Sequence, residues 1–332
     1  TMLTYSPSRK FEISFLGNYG SNKYQFIPSE TDVEFGTKDL PLNLRVYYEG
    51  QEVDRFDTYL GALTFNFKPR AGLSLKLITS AFRTSEEETF DILGQYWINE
   101  LDNTLNSDTY GDSIPNVGVG SLLSHARNYL EAMVISLSHV GSYRTEGRHL
   151  QWGLSYQYQE FYDNINEWEL LDSIGYSIPY DGEQIILSES RRSDNHITSD
   201  QFSAFFQNTR EINADGADVF ITAGLRGTVW NFNQTTMISP RLTISTQPNW
   251  KPDMMFHLSG GYYYQPPFYK EMRRPDGSIN EDILPQRSIH LLLGGDYIFT
   301  MLDRPFKITG EAYYKWLSNV IPYKIENVRI SY

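Results

Sequence analysis

The segment PFKITGEAYYKW, Pro305–Trp316, sorts its side chains into two files. Phe306, Ile308, Ala312, Tyr314 and Trp316 share one file. Lys307, Thr309, Glu311, Tyr313 and Lys315 share the other, so every charge lies on one side. Successive side chains of an extended chain point to opposite faces. The period of two therefore predicts a β-strand with one apolar and one polar face.

The same pattern recurs along the chain. In RHLQWGLSYQYQ (148–159), Leu150, Trp152, Leu154, Tyr156 and Tyr158 oppose His149, Gln151, Ser155, Gln157 and Gln159. In RSIHLLLGGDYIF (287–299), Ile289, Leu291, Leu293, Tyr297 and Phe299 oppose Ser288, His290, Leu292 and Asp296. Apolar positions two apart also mark Tyr59 to Phe67, Val219 to Val229 and Met254 to Tyr264.

Alternation alone suits a half-buried sheet or a membrane barrel, and the connections separate the two. Short ones fall at Pro7–Lys10, Pro69–Gly72, Arg144–Gly147, Ile212–Ala217, Pro248–Pro252 and Met301–Arg304, rich in the Pro, Gly, Asn and Asp of tight turns. They take turns with a second set at about Pro28–Val53, Arg83–Ala126, Asp163–Thr198, Asn231–Thr236, Lys270–Pro285 and Ser318–Glu326. Sorting by length from end to end is the habit of an outer-membrane barrel, with short periplasmic turns and long extracellular loops. The long set is acidic: residues 84–126 hold eight carboxylates and no Lys or Arg. Segments such as EEETFDI and NINEWELLD (from Glu86 and from Asn164) are expected to carry strands beyond the bilayer.

The fold class expected is all-β, a transmembrane antiparallel β-barrel. About 12–13 strands can be counted, the last at Asn327–Tyr332. Bacterial single-chain barrels have even counts. The chain is therefore expected to be one barrel segment, residues 1–332, of a larger barrel, with an N-terminal plug and C-terminal strands not present.

Composition excludes several functions. The chain has 332 residues, no cysteine and a net charge of −13. Disulfides and thiolate metal sites are impossible, and no nucleic-acid partner is expected for so acidic a surface. No apolar run approaches the roughly 20 residues of a membrane helix. No Ser-His-Asp spacing, phosphate loop or histidine-rich helix motif appears, and Glu86, Glu87 and Glu88 read as solvated loop charge. No catalytic residue, metal site or cofactor is expected. The six histidines are His125, His139, His149, His196, His257 and His290, none at ligand-like spacing from another. A calcium site among the loop carboxylates stays open as an alternative, since calcium takes clustered oxygens.

Eight segments, in order along the chain, resemble TonB-dependent outer-membrane receptors of the Bacteroidetes type: LTYSPS (3–8), FGT (35–37), EGQEVDRF (49–56), EEETFDILGQY (86–96), SPRLTIS (239–245), YYQPPFYKEM (263–272), LPQRSIHLLLGGDYIF (284–299) and GEAYYKWLSNVIPYKIENVRISY (310–332). The resemblance implies a 22-stranded barrel filled by an N-terminal plug. It implies uptake of a scarce ligand (iron chelate, cobalamin, glycan or peptide) with energy from TonB. The implied partners are outer-membrane lipid and TonB, the latter through the plug region. Alternatives are a structural barrel subunit whose loops hold a surface lipoprotein, and a soluble β-rich binding protein.

Site expectations follow from the faces. His257, His290, Asp296, Lys307, Glu311 and Lys315, with Arg241, lie on polar faces and are expected to face the lumen or plug. Tyr156, Tyr158, Trp230, Tyr262, Tyr264, Phe268, Tyr314 and Trp316 are expected in the interfacial girdle. In GGYYYQPPFYKEMRRPDG (260–277), Pro266 and Pro267 loosen the ladder at the rim. Beyond them Lys270–Pro285 is expected to be an external loop. Tyr263, Gln265, Tyr269, Arg273 and Arg274 are the ligand-binding candidates, and Trp97 and Trp168 are aromatics available for stacking. The acidic loops mildly disfavour anionic ligands.

Overall fold

The structure is a computed structural model that describes residues 1–174, 185–326 and 329–331. Thirteen strands form one sheet: β1 (Met2–Ser8), β2 (Phe11–Phe26), β3 (Thr31–Thr37), β4 (Leu40–Arg70), β5 (Leu73–Leu101), β6 (Ser113–Thr145), β7 (Arg148–Ile174), β8 (Ile186–Ala214), β9 (Ala217–Trp230), β10 (Thr235–Pro248), β11 (Asp253–Gln265), β12 (Gln286–Met301) and β13 (Arg304–Ser318). Each main-path strand pairs antiparallel with the next, from β1 through β2 and β4 to β13, and β3 pairs with β4 off this path. Among the described residues β1 and β13 end this path, and β3 is a further edge beside β4.

The register confirms the two faces. Leu293 lies between Leu258 and Ala312, and Leu291 between Gly260 and Tyr314. Phe202 faces Tyr156 and Val229, and Leu154 faces His139 and Ala204. This apolar face is open: Leu154 is 61% exposed, Leu293 60% and Ile308 58%. Burying one such side chain stabilises by about 1.5–3 kcal/mol, so a continuous exposed row is built for an apolar surrounding rather than for water. From Phe306 to Trp316 the row runs the roughly 9–11 residues a tilted strand needs to cross a bilayer. Among the described residues no helix is long and apolar enough to cross a membrane.

The six short turns are where the sequence places them, with connections as brief as residues 71–72, 146–147 and 215–216. Three of the expected long loops need correction. Most of Pro28–Val53, Arg83–Ala126 and Asp163–Thr198 is strand, as β4 runs 31 residues, β5 29 and β6 33. Along the extended ladder acidic side chains have cationic neighbours: Arg55 lies 3.6 Å from Glu87 and Arg83 3.0 Å from Glu131. The extension expected from EEETFDI and NINEWELLD is therefore seen, and it is longer than those segments. True loops at this end include residues 102–112 and 266–285.

The strand tally also changes in content. The thirteenth strand of the sheet is β3, within an expected loop. Of the expected last strand, Asn327, Val328 and Tyr332 lie outside the described residues. Arg329–Ser331 pairs with Lys324–Glu326 as a separate two-stranded ribbon, not with the wall.

Candidate functional site

On the polar face the wall splits into a packed upper part and an open lower part. The upper part is organised by the connection from β11 to β12. Pro266 and Pro267 end the ladder, and Tyr269–Met272 forms a single 3-10 turn. This turn does not project away from the sheet. Tyr269 (5% exposed) and Met272 (3%) are buried in a cluster with Leu130, Ile197, Trp230 and Met237. Tyr269 stacks on Phe161 with ring centroids 4.9 Å apart. The hydrophobic payload of the turn outweighs its charge, so it folds down onto the sheet.

Polar contacts tie the connection along its length. Arg191 donates Nε–H to the Pro275 carbonyl at 2.7 Å, Asn195 Nδ2 to Gly277 O at 2.9 Å and Asn233 Nδ2 to Ile283 O at 2.7 Å. Lys270 Nζ reaches Glu86 at 2.9 Å, and Arg273 lies 3.7 Å from the buried Asp163 carboxylate. Gly277 has φ of 87°, and a Cβ there would meet Ser193 Oγ at 2.8 Å. Only glycine suits both the left-handed backbone and the close approach. Burial, with Asp163 beside it, pushes the Tyr269 phenol well above the usual tyrosine range. A chain of contacts continues beneath: Asn128 donates to Glu88 (3.1 Å) and Glu167 (2.6 Å), and Arg191 donates to Glu167 (3.3 Å).

The five ligand-binding candidates are thus scattered in role. Tyr269 is a buried packing residue and Arg273 is engaged with Asp163, lying 5.7 Å over the Tyr269 ring. Arg274 is exposed and donates to Asn280 at 3.3 Å. Gln265 is exposed at the end of β11 opposite Gln286. Tyr263 is on the open wall, stacked on His290 at 4.4 Å with the Arg241 guanidinium 4.4 Å from its centroid.

The other wall residues occupy the polar face as their parity requires. His257 approaches Glu311 at 3.4 Å, and Lys307 approaches Asp296 at 3.0 Å. Thr309 donates to Asp296 at 2.7 Å. Gly294 makes room for the first pair, since a Cβ there would lie 2.5 Å from His257 Nε2. Lys315 lies opposite His290 and 5.1 Å over the Tyr313 ring.

Two girdle assignments are corrected. Trp230 is 2% exposed in the cluster, because its even position puts it opposite in facing to the exposed Val229. Tyr264 also packs on that cluster. Trp97 and Trp168 already have ring partners, Tyr47 at 5.3 Å and His125 at 4.6 Å. Sequence reasoning missed Asp163, Arg191 and Asn195. Their shared odd-numbered parity was the available signal, but nothing local marks their partners, 82 and 84 residues away for Asn195 and Arg191.

Glu52, Asp54 and Glu88 bring carboxylate oxygens within 4.8 Å of one another. An oxygen-only set suits calcium rather than zinc. Glu88 already accepts from Asn128, and we assign no ion to the trio.

A family model described as "TonB dependent receptor-like, beta-barrel" matches residues 4–328. No curated protein matches by sequence. Among solved structures, the chain is similar to "Copper transporter OprC" (11% identity, TM-score 0.44, 98% of this chain and 57% of that one). It is also similar to the siderophore receptor PirA from Pseudomonas aeruginosa (9%, 0.36, 94% and 63%) and to the outer membrane transporter YddB from Escherichia coli (8%, 0.35, 88% and 45%). The chain therefore spans less than two thirds of the length of each.

Proposed function

This chain belongs to the TonB-dependent receptor β-barrel family, and on that premise we propose that it forms much of the wall of an outer-membrane receptor importing a scarce ligand with energy from TonB. Barrels of this family sit in the outer membrane, and its members are transporters rather than enzymes. The observation that carries the reading is the exposed apolar row backed by a polar face, the reverse of a water-soluble sheet. A spanning sheet must have no unpaired edge inside the bilayer. The edges β1 and β13 support a barrel completed by further strands, with a plug against His257, His290, Asp296, Lys307, Glu311 and Lys315. In this reading the short turns are periplasmic, and the long strand extensions stand outside the cell. An iron chelate, cobalamin, a glycan or a peptide is the class of cargo.

The test compares strains lacking the full-length receptor or TonB for growth on limiting iron, cobalamin, glycans and peptides. A shared defect on one nutrient is expected. A receptor deletion with no nutrient defect, its protein recovered in a constant complex with a surface lipoprotein, would replace import by a scaffold role.

A further inference from the structure

The first part of the connection from β11 to β12 lies on the wall as a bound peptide would. Its segment FYKEMRR, residues 268–274, sends Tyr269 and Met272 into an apolar floor and brings Lys270 and Arg273 to carboxylates. Register builds that floor. Ala132, Phe161 and Ile197 are aligned across β6, β7 and β8, and two residues along each strand Leu130, Asp163 and Asn195 are aligned in the same way. An aromatic face therefore sits beside a carboxylate. The segment meets it with a matching pair: Tyr269 stacks on Phe161, and the Arg273 guanidinium lies 5.7 Å from the tyrosine centroid. Trp230 and Phe232, stacked 5.1 Å apart, extend the aromatic surface.

The segment fits this floor incompletely. Asp163 is 3% exposed, yet Arg273 comes only within 3.7 Å of it, beyond the contact of about 2.7–2.9 Å that a charge-assisted hydrogen bond makes. Asp163 Oδ2 and the Tyr269 hydroxyl are buried with no hydrogen bond among the described residues. Buried polar atoms in this state weigh against the closed arrangement. The contacts of residues 268–274 with the wall given above are made by side chains. The anchors onto backbone carbonyls, from Arg191, Asn195 and Asn233, fall later, at Pro275, Gly277 and Ile283.

We propose that this part of the wall is a binding site for a peptide carrying an aromatic residue and a nearby arginine or lysine, and that residues 268–274 occupy it until such a peptide displaces them. Two carboxylates of the wall, Glu86 and Asp163, take their cations from this segment. A displacing group must return positive charge as well as a ring, since stripping a buried carboxylate of its partner is costly. A basic aromatic peptide brings both. The resident segment is tethered and competes at a high effective concentration, so free peptide binds weakly until the segment is unseated. The inference rests on the import reading and names peptide as its cargo.

The experiment titrates a synthetic peptide of sequence FYKEMRR, with blocked ends, into the purified full-length receptor in detergent, followed by calorimetry. Wild type is compared with Tyr269→Ala/Arg273→Gln, whose own segment is unseated, and with that double variant carrying Asp163→Asn. Binding at least about tenfold tighter in the double variant than in wild type is expected, and Asp163→Asn should then weaken it at least about tenfold. Equal binding by wild type and the double variant overturns the proposal, as does binding indifferent to Asp163 or absent from all three proteins. Wild type supplies a check that needs no variant to fold. Excess peptide should speed proteolysis within residues 266–285, and an unchanged rate overturns the proposal. The nutrient test above separates this site from the import reading. Failed peptide tests beside a nutrient defect shared with loss of TonB sink this inference alone. Peptide binding as expected beside a deletion with no nutrient defect sinks import and leaves the site standing.

Discussion

The hydrogen atom that serves as the side chain of Gly294 decides how far His257 can reach. With a Cβ 2.5 Å from the imidazole and 3.1 Å from Glu311 Cγ, neither side chain could hold its place. Gly294→Val should therefore destabilise the wall by about 1–3 kcal/mol, the usual cost of overpacking. It should appear as a lower urea midpoint for the folded receptor, with His257→Ala in the same protein relieving part of the loss. Tyr269 is the opposite case, a large ring whose removal leaves a hole. Tyr269→Ala should cost about 3–5 kcal/mol locally, in the range for aromatic-to-alanine changes in cores. Proteolysis within residues 266–285 should accelerate while the sheet persists. The facing of His257 was legible from alternation alone. The burial of Tyr269 was not, because its stacking partner Phe161 belongs to a distant strand and no local rule pairs them.

Elements obey the same division between local and distant causes. The connection at residues 102–112 closes on Asp102, whose carboxylate accepts from the Thr104 amide (2.9 Å) and the Thr109 hydroxyl (2.7 Å). The Ser107 hydroxyl, with these donors, holds the Asp102 carboxyl far below the usual carboxylate range. A carboxyl lowered on folding contributes its stability in full above its unfolded pKa, about 3.9, and loses it progressively as pH falls from there to the lowered value. The connection should resist pepsin at pH 4 and be cut faster at pH 2. Faster cutting already at pH 4 would contradict this. The short turns were readable because Gly, Pro, Asn and Asp mark them. The strand extensions were not fully readable because their acidic side chains mimic loop composition, and only cross-strand cations such as Arg83 reveal a ladder.

For the whole molecule the deciding matter is which face meets which medium. Leu154 is at mid-length in the exposed row, and Leu154→Arg should cost about 2–4 kcal/mol at the bilayer midplane. Gln157→Arg, on the polar face of the same strand, should cost little. The measurement is the fraction of full-length receptor recovered folded in outer membranes, and equal recovery of both variants would reverse the facing.

The edges β1 and β13 carry this further, into how such a wall comes to exist. Each presents a line of amide and carbonyl groups with no second strand beside it among the described residues. In hydrocarbon every such group costs several kcal/mol, so the wall cannot enter the bilayer strand by strand. In the barrel proposed above, entry would coincide with closing these two edges. Residues 1–332 produced alone should then appear as edge-joined oligomers by size-exclusion chromatography.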